Sequence, residues 1–184
     1  MDKVVIALTG MPGAGKSVMA NVARKMGLQV ISMGDVVREE AKKRGIPPTP
    51  ENLGKIMIEL RKKYGPEIIA KRCANKIMKL NNRIVVIDGV RSLFEIEEFK
   101  KVSSKVIIIA IHASPKTRFK RLKERGRSDD PKNWMEFHER DFRELKVGIG
   151  NVIALADYMI VNEVSIREFK RKAGELLMRL VENA

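Results

Sequence analysis

The sequence predicts an α/β fold in which a parallel sheet of five strands is covered by helices on both faces. Two observations lead to this fold class. Five short apolar runs are rich in β-branched residues, as expected of strands that are buried on both faces. Stretches with helical periodicity separate these runs, which is the pattern of βαβ units. The predicted strands span 4–10, 28–32, 83–89, 105–113 and 158–163.

The stretches between the strands are expected to be mainly helical. Thr49 can cap a helix whose first residue is Pro50, because the missing N–H of proline is not needed in a first turn. Residues 33–75 carry no strand pattern, so we expect a helical insertion over the sheet edge within a single domain of residues 1–184. The predicted helices cover 16–26, a stretch from 36 onward, 51–80, 92–101, 115–155 and 165–182.

Composition narrows the kinds of site and partner. A single cysteine, Cys73, excludes an intramolecular disulfide and a cysteine-based zinc site, and two histidines alone cannot form one. The net charge of +14 predicts an anionic partner: nucleotide phosphates, nucleic acid or an anionic surface. No apolar run approaches the ~20 residues of a membrane span, and the first ten residues lack a signal-peptide pattern. We therefore expect a cytoplasmic protein without a membrane segment.

The stretch GMPGAGKS lies between the first predicted strand and the first predicted helix. It matches the P-loop pattern G-x-x-x-x-G-K-[ST] in the context that confirms it. Its glycines let backbone N–H groups wrap a phosphate, and the helix N-terminus points at the anion. Lys16 is expected to reach the β- and γ-phosphates of ATP, and Ser17 to offer its hydroxyl to Mg²⁺. The predicted nucleotide-binding residues here are Gly10, Met11, Pro12, Gly13, Ala14, Gly15, Lys16 and Ser17.

The third predicted strand ends in Asp88, where a carboxylate beside the P-loop strand can hold Mg²⁺. This second element makes the predicted fold a three-layer P-loop NTPase fold. The chain lacks the NKxD motif that GTPases use to read guanine: Asn75 and Lys76 are followed by Ile and Met. Gly89 comes after Asp88, where AAA-type ATPases carry a glutamate. A transferase is therefore favoured over a hydrolase.

Two further loops are candidates for binding a phosphate acceptor. After the second strand, Gly34 permits a close approach, Asp35 is a natural helix N-cap, and Arg38 lies one turn further on. Arg91 follows the Asp88 strand end and is expected to face the same cleft. Two arginines converging from different loops suit phosphoryl transfer, in which positioning and charge stabilisation dominate.

The segment 118–145 is predicted to be a lid, a helical hairpin dense in arginine that can close over the triphosphate. Asp129 and Asp130 in its turn could hold the lid by ion pairs. Trp134 and Phe137 are expected to pack the lid against the body, although stacking on a base is an alternative. The predicted catalytic cations are Lys16 and three arginines of the lid, Arg121, Arg127 and Arg140. The other arginines of the lid are Arg118, Arg125 and Arg143.

The motifs GMPGAGKS, SMGDVVR, IDGVR and RLKERGRSDD occur in the same order as the P-loop, acceptor loop, strand end and lid of adenylate kinase. Over residues 4–145 the chain resembles adenylate kinase and other nucleoside monophosphate kinases, whereas the tail at 156–177 is more similar to dephospho-CoA kinase. As a whole it resembles an archaeal P-loop family related to both. The resemblance implies a strand order of 2-3-1-4-5, ATP on the P-loop, and Asn162 near the adenine.

Some positions depart from the adenylate kinase pattern. Val90 replaces the aromatic–proline pair before the arginine, and Met33 stands where those kinases have threonine. The resemblance to adenylate kinase therefore implies how the donor nucleotide is bound, but it does not imply the identity of the acceptor.

Three functions remain open on the sequence. The leading one is transfer of the ATP γ-phosphate to a nucleoside monophosphate or similar acceptor. The second is a dephospho-CoA kinase-like activity, with Asp35 as a base for a ribose hydroxyl. The third is an ATP-hydrolysing module that acts with RNA or a protein partner. The chain is expected to be a monomer or a homodimer.

Overall fold

A computed structural model of the chain describes residues 2–127 and 130–184. In these residues five parallel strands form one sheet in the order β2-β3-β1-β4-β5. Both the predicted α/β fold class and the predicted strand order are confirmed. Asp129, proposed above to hold the lid by an ion pair, lies outside the described residues. The strands are β1 (Val4–Thr9), β2 (Gln29–Ser32), β3 (Ile84–Asp88), β4 (Lys105–His112) and β5 (Tyr158–Val161).

Helix starts follow from side-chain caps. Thr49, Ser114, Asn133 and Ser165 each accept a hydrogen bond from a backbone N–H in the first turn of a helix, which satisfies a donor that the helix itself leaves open. The helices are α1 (Lys16–Lys25), α2 (Met33–Lys43), α3 (Pro50–Tyr64), α4 (Ile68–Met78), α5 (Leu93–Lys100), α6 (Pro115–Arg125), α7 (Trp134–Val147), α8 (Ile149–Ala154) and α9 (Ile166–Glu182).

Helix α2 begins earlier than the sequence pattern indicates. It starts at Met33, which is buried in the core, and Ser32 occupies the N-cap position. Asp35 lies inside the first turn, so the prediction that Asp35 caps this helix is wrong. Burial of Met33 fixes the start, and a carboxylate in the first turn still favours the helix through its dipole.

The sheet separates two apolar cores, one on each face. Because side chains alternate along a strand, Val5 and Ala7 of β1 enter one core, while Ile6 and Leu8 enter the other. Helices α2, α3, α4, α5 and α8 contribute buried side chains to the first core, and α1 and α9 to the second. Residues 33–78 contain α2, α3 and α4 with no strand among them, and Leu60 of α3 is buried in the same core as β1.

The strand register gathers the loops that carry polar residues. Leu8 at the end of β1 pairs with Asp88 of β3, and Asp88 pairs in turn with Ser32 of β2. The carboxyl ends of parallel strands meet at one edge of a sheet, which is where ligands bind in open α/β folds. The loops after β1, β2 and β3 therefore open at the same place.

Helices α6 and α7 form a hairpin that is anchored on a buried arginine. Arg118, only 3% exposed, donates from Nη1 to Asp141 Oδ1 of α7 at 2.8 Å and from Nε to the Ala113 carbonyl at 3.1 Å. Its guanidinium also lies over the buried ring of Phe137, 4.8 Å from the centroid. These contacts of Phe137 lie within the hairpin, so the packing of Phe137 and Trp134 against the body stays a prediction.

An aromatic cluster lies between the two helices of this hairpin. Trp134, which is 44% exposed, contacts the rings of Phe119 at 5.2 Å, Phe137 at 5.1 Å and His138 at 5.1 Å between centroids. These contacts join the first turn of α7 to the middle of α6. Among the described residues, no helix is long and apolar enough to cross a membrane.

Replacing Asp141 with alanine is expected to destabilise the fold by about 3–5 kcal/mol, because it leaves the Arg118 charge buried without its partner. Urea unfolding measures this change. Glu175→Ala, which removes an exposed ion pair with Arg171 on α9, is the matched control and should cost less than about 1 kcal/mol. Equal losses in the two variants would show that Arg118 and Asp141 do not anchor the hairpin.

Candidate functional site

The loop between β1 and α1 has a backbone that side chains would obstruct. Gly10 and Gly15 have φ angles of +142° and +114°. A Cβ at Gly10 would lie 2.3 Å from the carbonyl oxygen of Ile111, and one at Gly15 would lie 2.4 Å from Nδ2 of Asn162. Glycine is therefore required at both positions, and the loop is held open in the shape that a phosphate group needs.

Lys16 begins α1 and folds back across this loop. Its Nζ donates to the carbonyl oxygens of Gly10 at 2.5 Å and Met11 at 3.2 Å. Burial lowers the pKa of the Lys16 ammonium from 10.5 to about 8, although the nearby Asp88 carboxylate acts in the opposite direction. The amine is thus partly desolvated, and an arriving phosphate would supply the charge that its surroundings lack.

Asp88 ends β3 beside the loop, as predicted, and lines the same cleft as Ser17. Burial raises the pKa of Asp88 above its usual range, although the charges of Lys16 and Arg91 oppose the shift. A hydroxyl and a carboxylate are hard oxygen donors that suit Mg²⁺, and a cation would relieve the desolvation of Asp88. The residues present therefore fit the predicted role of Ser17 and Asp88 as Mg²⁺ ligands.

Asn162 follows β5 and supports the loop from behind. Only 5% exposed, it donates from Nδ2 to the Ala14 carbonyl at 2.8 Å and accepts at Oδ1 from Arg121 Nη2 at 3.4 Å. The side chain thus links the end of β5, the loop and the hairpin. Its predicted place near an adenine stays a prediction.

The acceptor residues predicted from sequence divide into two groups. Gly34, Arg38 and Arg91 line the cleft that contains the loop, whose volume is about 340 Å³. Asp35 lies instead in a shallow pocket beside β2, and its exposed carboxylate accepts a 2.6 Å hydrogen bond from Arg38 Nη1. The structure therefore brings the arginines to the loop, but not Asp35.

Arg91 is held by two glutamates that the sequence analysis did not identify. Its Nε donates to Oε2 of Glu144 in α7 at 2.8 Å, and its backbone N–H donates to Oε2 of Glu95 in α5 at 2.7 Å. Glu95 also completes a capping box with Ser92, a signal readable in the residues SLFE. Glu144 lies 53 residues from Arg91 along the chain, and no local pattern predicts their pairing.

The hairpin arginines do not all reach the cleft. Arg121, Arg127 and Arg140, the predicted catalytic cations of the hairpin, line it together with Arg125. Arg118 instead anchors the hairpin, and Arg143 does not line the cleft. Asp130 connects three arginines at the tip of the hairpin. Its carboxylate accepts hydrogen bonds from Arg125 Nε at 2.9 Å, from Arg140 Nη1 at 3.4 Å and from the Arg127 backbone N–H at 3.0 Å.

The cleft carries a large excess of positive charge. Among the described residues, seven cationic side chains line it against two carboxylates, those of Asp88 and Glu144. Nη1 of Arg121 is buried and has no hydrogen-bond partner within the described part of the chain. Such a surface attracts a polyanion, and an anion bound there would satisfy groups that the protein leaves open. The cations are Lys16, Arg38, Arg91, Arg121, Arg125, Arg127 and Arg140.

Comparison with known proteins places this geometry in context. Residues 9–138 match the family described as an AAA domain, AAA_17. The chain is 53% identical over 178 residues to a UPF0200 protein of Hyperthermus butylicus, covering 97% of this chain and 95% of that protein.

Among solved structures, shikimate kinase from Bacteroides thetaiotaomicron aligns with a TM-score of 0.63 and 18% identity, covering 97% of this chain and 98% of that one. A gluconokinase from Sinorhizobium meliloti aligns with a TM-score of 0.55 and 18% identity, covering 99% of this chain and 94% of that one. These likenesses show a P-loop kinase fold.

The lowered pKa of Lys16 predicts how nucleotide binding depends on pH. With a pKa of about 8, the free amine loses its proton above pH 8 and must regain it to pair with phosphate. Affinity for ATP should therefore fall above pH 8, approaching tenfold per pH unit. Calorimetry between pH 7 and 9.5 measures this, with Lys16→Arg as the control because its guanidinium stays charged. Equal pH profiles for the two proteins would contradict the prediction.

Proposed function

The chain belongs to the UPF0200 family of archaeal P-loop proteins, and from this premise we propose that it is an ATP-dependent phosphotransferase acting on a small phosphate-bearing acceptor. The observation that carries the proposal is that the phosphate loop, Arg38 and Arg91 line one and the same cleft. Two anions bound in this cleft, one on the loop and one on the arginines, would bring a donor phosphate and an acceptor together. The names of two structural neighbours, shikimate kinase and gluconokinase, agree with the broader class of small-molecule phosphotransferases.

The donor triphosphate would lie in the loop at residues 10–17, with its phosphates on the backbone N–H groups and the N-terminus of α1. Lys16 would leave the carbonyls of Gly10 and Met11 to contact the β- and γ-phosphates. Ser17 and Asp88 would hold Mg²⁺, which supplies neutralisation of the phosphate charge. Asn162 would keep the loop in shape by its hydrogen bond to Ala14.

The acceptor would bind across the loops that come after β2 and β3. Arg38 and Arg91 would grip its phosphate group, since guanidinium groups bind phosphate bidentately. Arg121, Arg127 and Arg140 would then surround the transferring group, where charge is spread over its equatorial oxygens. Positioning and charge stabilisation of this kind need no group that forms a covalent bond.

The residue after the third strand favours transfer over hydrolysis. Gly89 comes after Asp88, so the described cleft has no carboxylate at the position where AAA-type ATPases carry a glutamate. The two carboxylates that do line the cleft are engaged: Asp88 lies beside Lys16, and Glu144 is bonded to Arg91. Neither is placed as a dedicated base for water.

The two other functions are less well supported. A dephospho-CoA kinase-like reaction would use Asp35 as its base. The Asp35 carboxylate is exposed, accepts a hydrogen bond from Arg38 and does not line the cleft, so it is poorly placed for that role. A role with RNA or a protein partner rests on the overall charge of +14. Seven of the cationic side chains line one cleft of about 340 Å³, however, and there they suit a small polyanion better than a broad surface.

The proposal predicts a strong acceptor dependence of ADP production. Purified protein with Mg-ATP is assayed against nucleoside monophosphates, dephospho-CoA, shikimate and gluconate. One of the phosphate-bearing compounds, but neither shikimate nor gluconate, should raise turnover at least ~100-fold, toward the 1–100 s⁻¹ that is typical of kinases. Lys16→Ala is the blank, and Lys170→Ala, an exposed lysine of α9, is the charge-matched control. A flat panel with slow, Lys16-dependent hydrolysis would overturn the phosphotransferase proposal.

Removing the acceptor arginines should separate acceptor binding from nucleotide binding. Arg38→Ala or Arg91→Ala is expected to raise the acceptor KM about 10-fold or more, because a charged hydrogen bond is lost, while the Kd for ATP changes little. Lys42→Ala, at an exposed position on the same helix as Arg38, should leave both constants unchanged. If neither arginine variant alters the acceptor KM, the acceptor assignment is wrong.

A further inference from the structure

Arg91 is held in two different ways by its two glutamates. Glu95 accepts from the backbone N–H and is itself fully buried, with a 2.8 Å ion pair to Arg61 Nη2 of α3. Glu144 binds only the side chain, through Nε at 2.8 Å, and its own side chain is 18% exposed at the cleft. The main chain at Arg91 is therefore fixed by the core of the fold, while its guanidinium is held by a group at the edge of the cleft.

Glu144 carries a negative charge in this place. Burial acts to raise the pKa of its carboxyl, but the charges of Arg91 and Lys16 outweigh burial and hold the pKa below its usual range. An ionised carboxylate on Nε blocks one of the two guanidinium edges, Nε with Nη2, through which a phosphate can bind bidentately. Nη1 of the same guanidinium is turned toward the Gly89 carbonyl at 3.2 Å.

We propose that Glu144 is a built-in competitor for the acceptor: its carboxylate occupies Arg91, and an incoming phosphate group takes its place. This inference rests on the proposed function, because it assigns Arg91 to the acceptor. Glu144 is then a specificity-determining residue, since a weakly charged or neutral molecule cannot displace a carboxylate from a guanidinium. The acceptor class that fits is one with a dianionic phosphate.

The exchange also links the acceptor to the hairpin. Glu144 belongs to α7, which is also attached to the body through Asp141 and Arg118 and, at its carboxyl end, through Gly148 and helix α8, which contributes buried side chains to the core. When Glu144 leaves Arg91, α7 stays anchored at Asp141, and Arg140, one turn before Glu144, remains in the cleft. Acceptor binding would thereby release the Glu144 side chain from Arg91 while the hairpin and the end of α7 at Gly148 keep their places.

Binding of inorganic phosphate to ADP-saturated protein tests the exchange. ADP occupies the loop at residues 10–17, so that added phosphate reports on the arginines beyond it, and calorimetry gives the Kd. Glu144→Gln should bind phosphate at least about fivefold more tightly than the natural chain, because the competing charge is removed. Glu144→Asp keeps the charge but is one methylene shorter, and it should also bind more tightly, though by less.

Two further variants exclude a general field effect. Glu139→Gln removes the same charge from an exposed position on the same helix and should leave the phosphate Kd unchanged. In an Arg91→Ala background, Glu144→Gln should make no difference, which a double-mutant cycle reads out directly. Thermal unfolding of each variant shows that it folds, and Glu144→Asp carries the test if Glu144→Gln does not.

Weaker or unchanged phosphate binding by both Glu144 variants would overturn the inference, since Glu144 would then hold Arg91 in its productive place. Equal tightening by Glu139→Gln, or tightening by Glu144→Gln with none by Glu144→Asp, would also overturn it in favour of a general field effect. None of these results requires turnover. A flat acceptor panel therefore rejects the phosphotransferase proposal without deciding the role of Glu144.

Discussion

Parallel pairing of β1 between β3 and β4 is the constraint on which the rest of the molecule depends. It sets the end of β1 beside Asp88, and the backbone of Gly10 against that of Ile111 in β4, with no room for a side chain. The loop, its lysine and the partner carboxylate are therefore placed by backbone hydrogen bonds. Because both faces of β1 are buried, a one-residue slip would exchange Val5 and Ala7 with the larger Ile6 and Leu8 between two packed cores, so the same burial that stabilises the sheet also fixes the cleft.

Around this rigid edge the protein concentrates cations that repel one another. Seven line the cleft, and the protein itself supplies little compensation: Glu144 for Arg91, Asp130 for the arginines of the hairpin tip, and backbone carbonyls for Lys16. Repulsion among these cations destabilises the native state. A bound polyanion offsets the repulsion, so ligand binding and folding stability are linked. Any anion that binds the loop therefore stabilises the native state.

Short sequence patterns predicted the local features of the fold and of the candidate site. The five strands, the loop after β1, Asp88 and the Thr49 cap all follow from short patterns, and each is present. The stretch 115–155, predicted as helical, divides into α6, α7 and α8, with Gly126 and Gly148 in left-handed conformations at the breaks. Pairings between distant segments could not be predicted. The pairs Arg91–Glu144 and Arg118–Asp141 form only when distant segments of the folded chain meet. Arg118 and Arg121 belong to the same helix, yet Arg118 is buried and anchors the hairpin, whereas Arg121 lines the cleft.

The aromatic cluster on the hairpin has one more consequence. Trp134 is the single tryptophan of the chain, and it lies where α7 begins, with its ring against Phe119 of α6 and beside His138. Its indole is half in solvent and half in the joint between the two helices. The protein therefore carries its own optical reporter at that joint: emission from a lone indole responds to any change in the angle between α6 and α7, with no dye attached and no background from a second tryptophan.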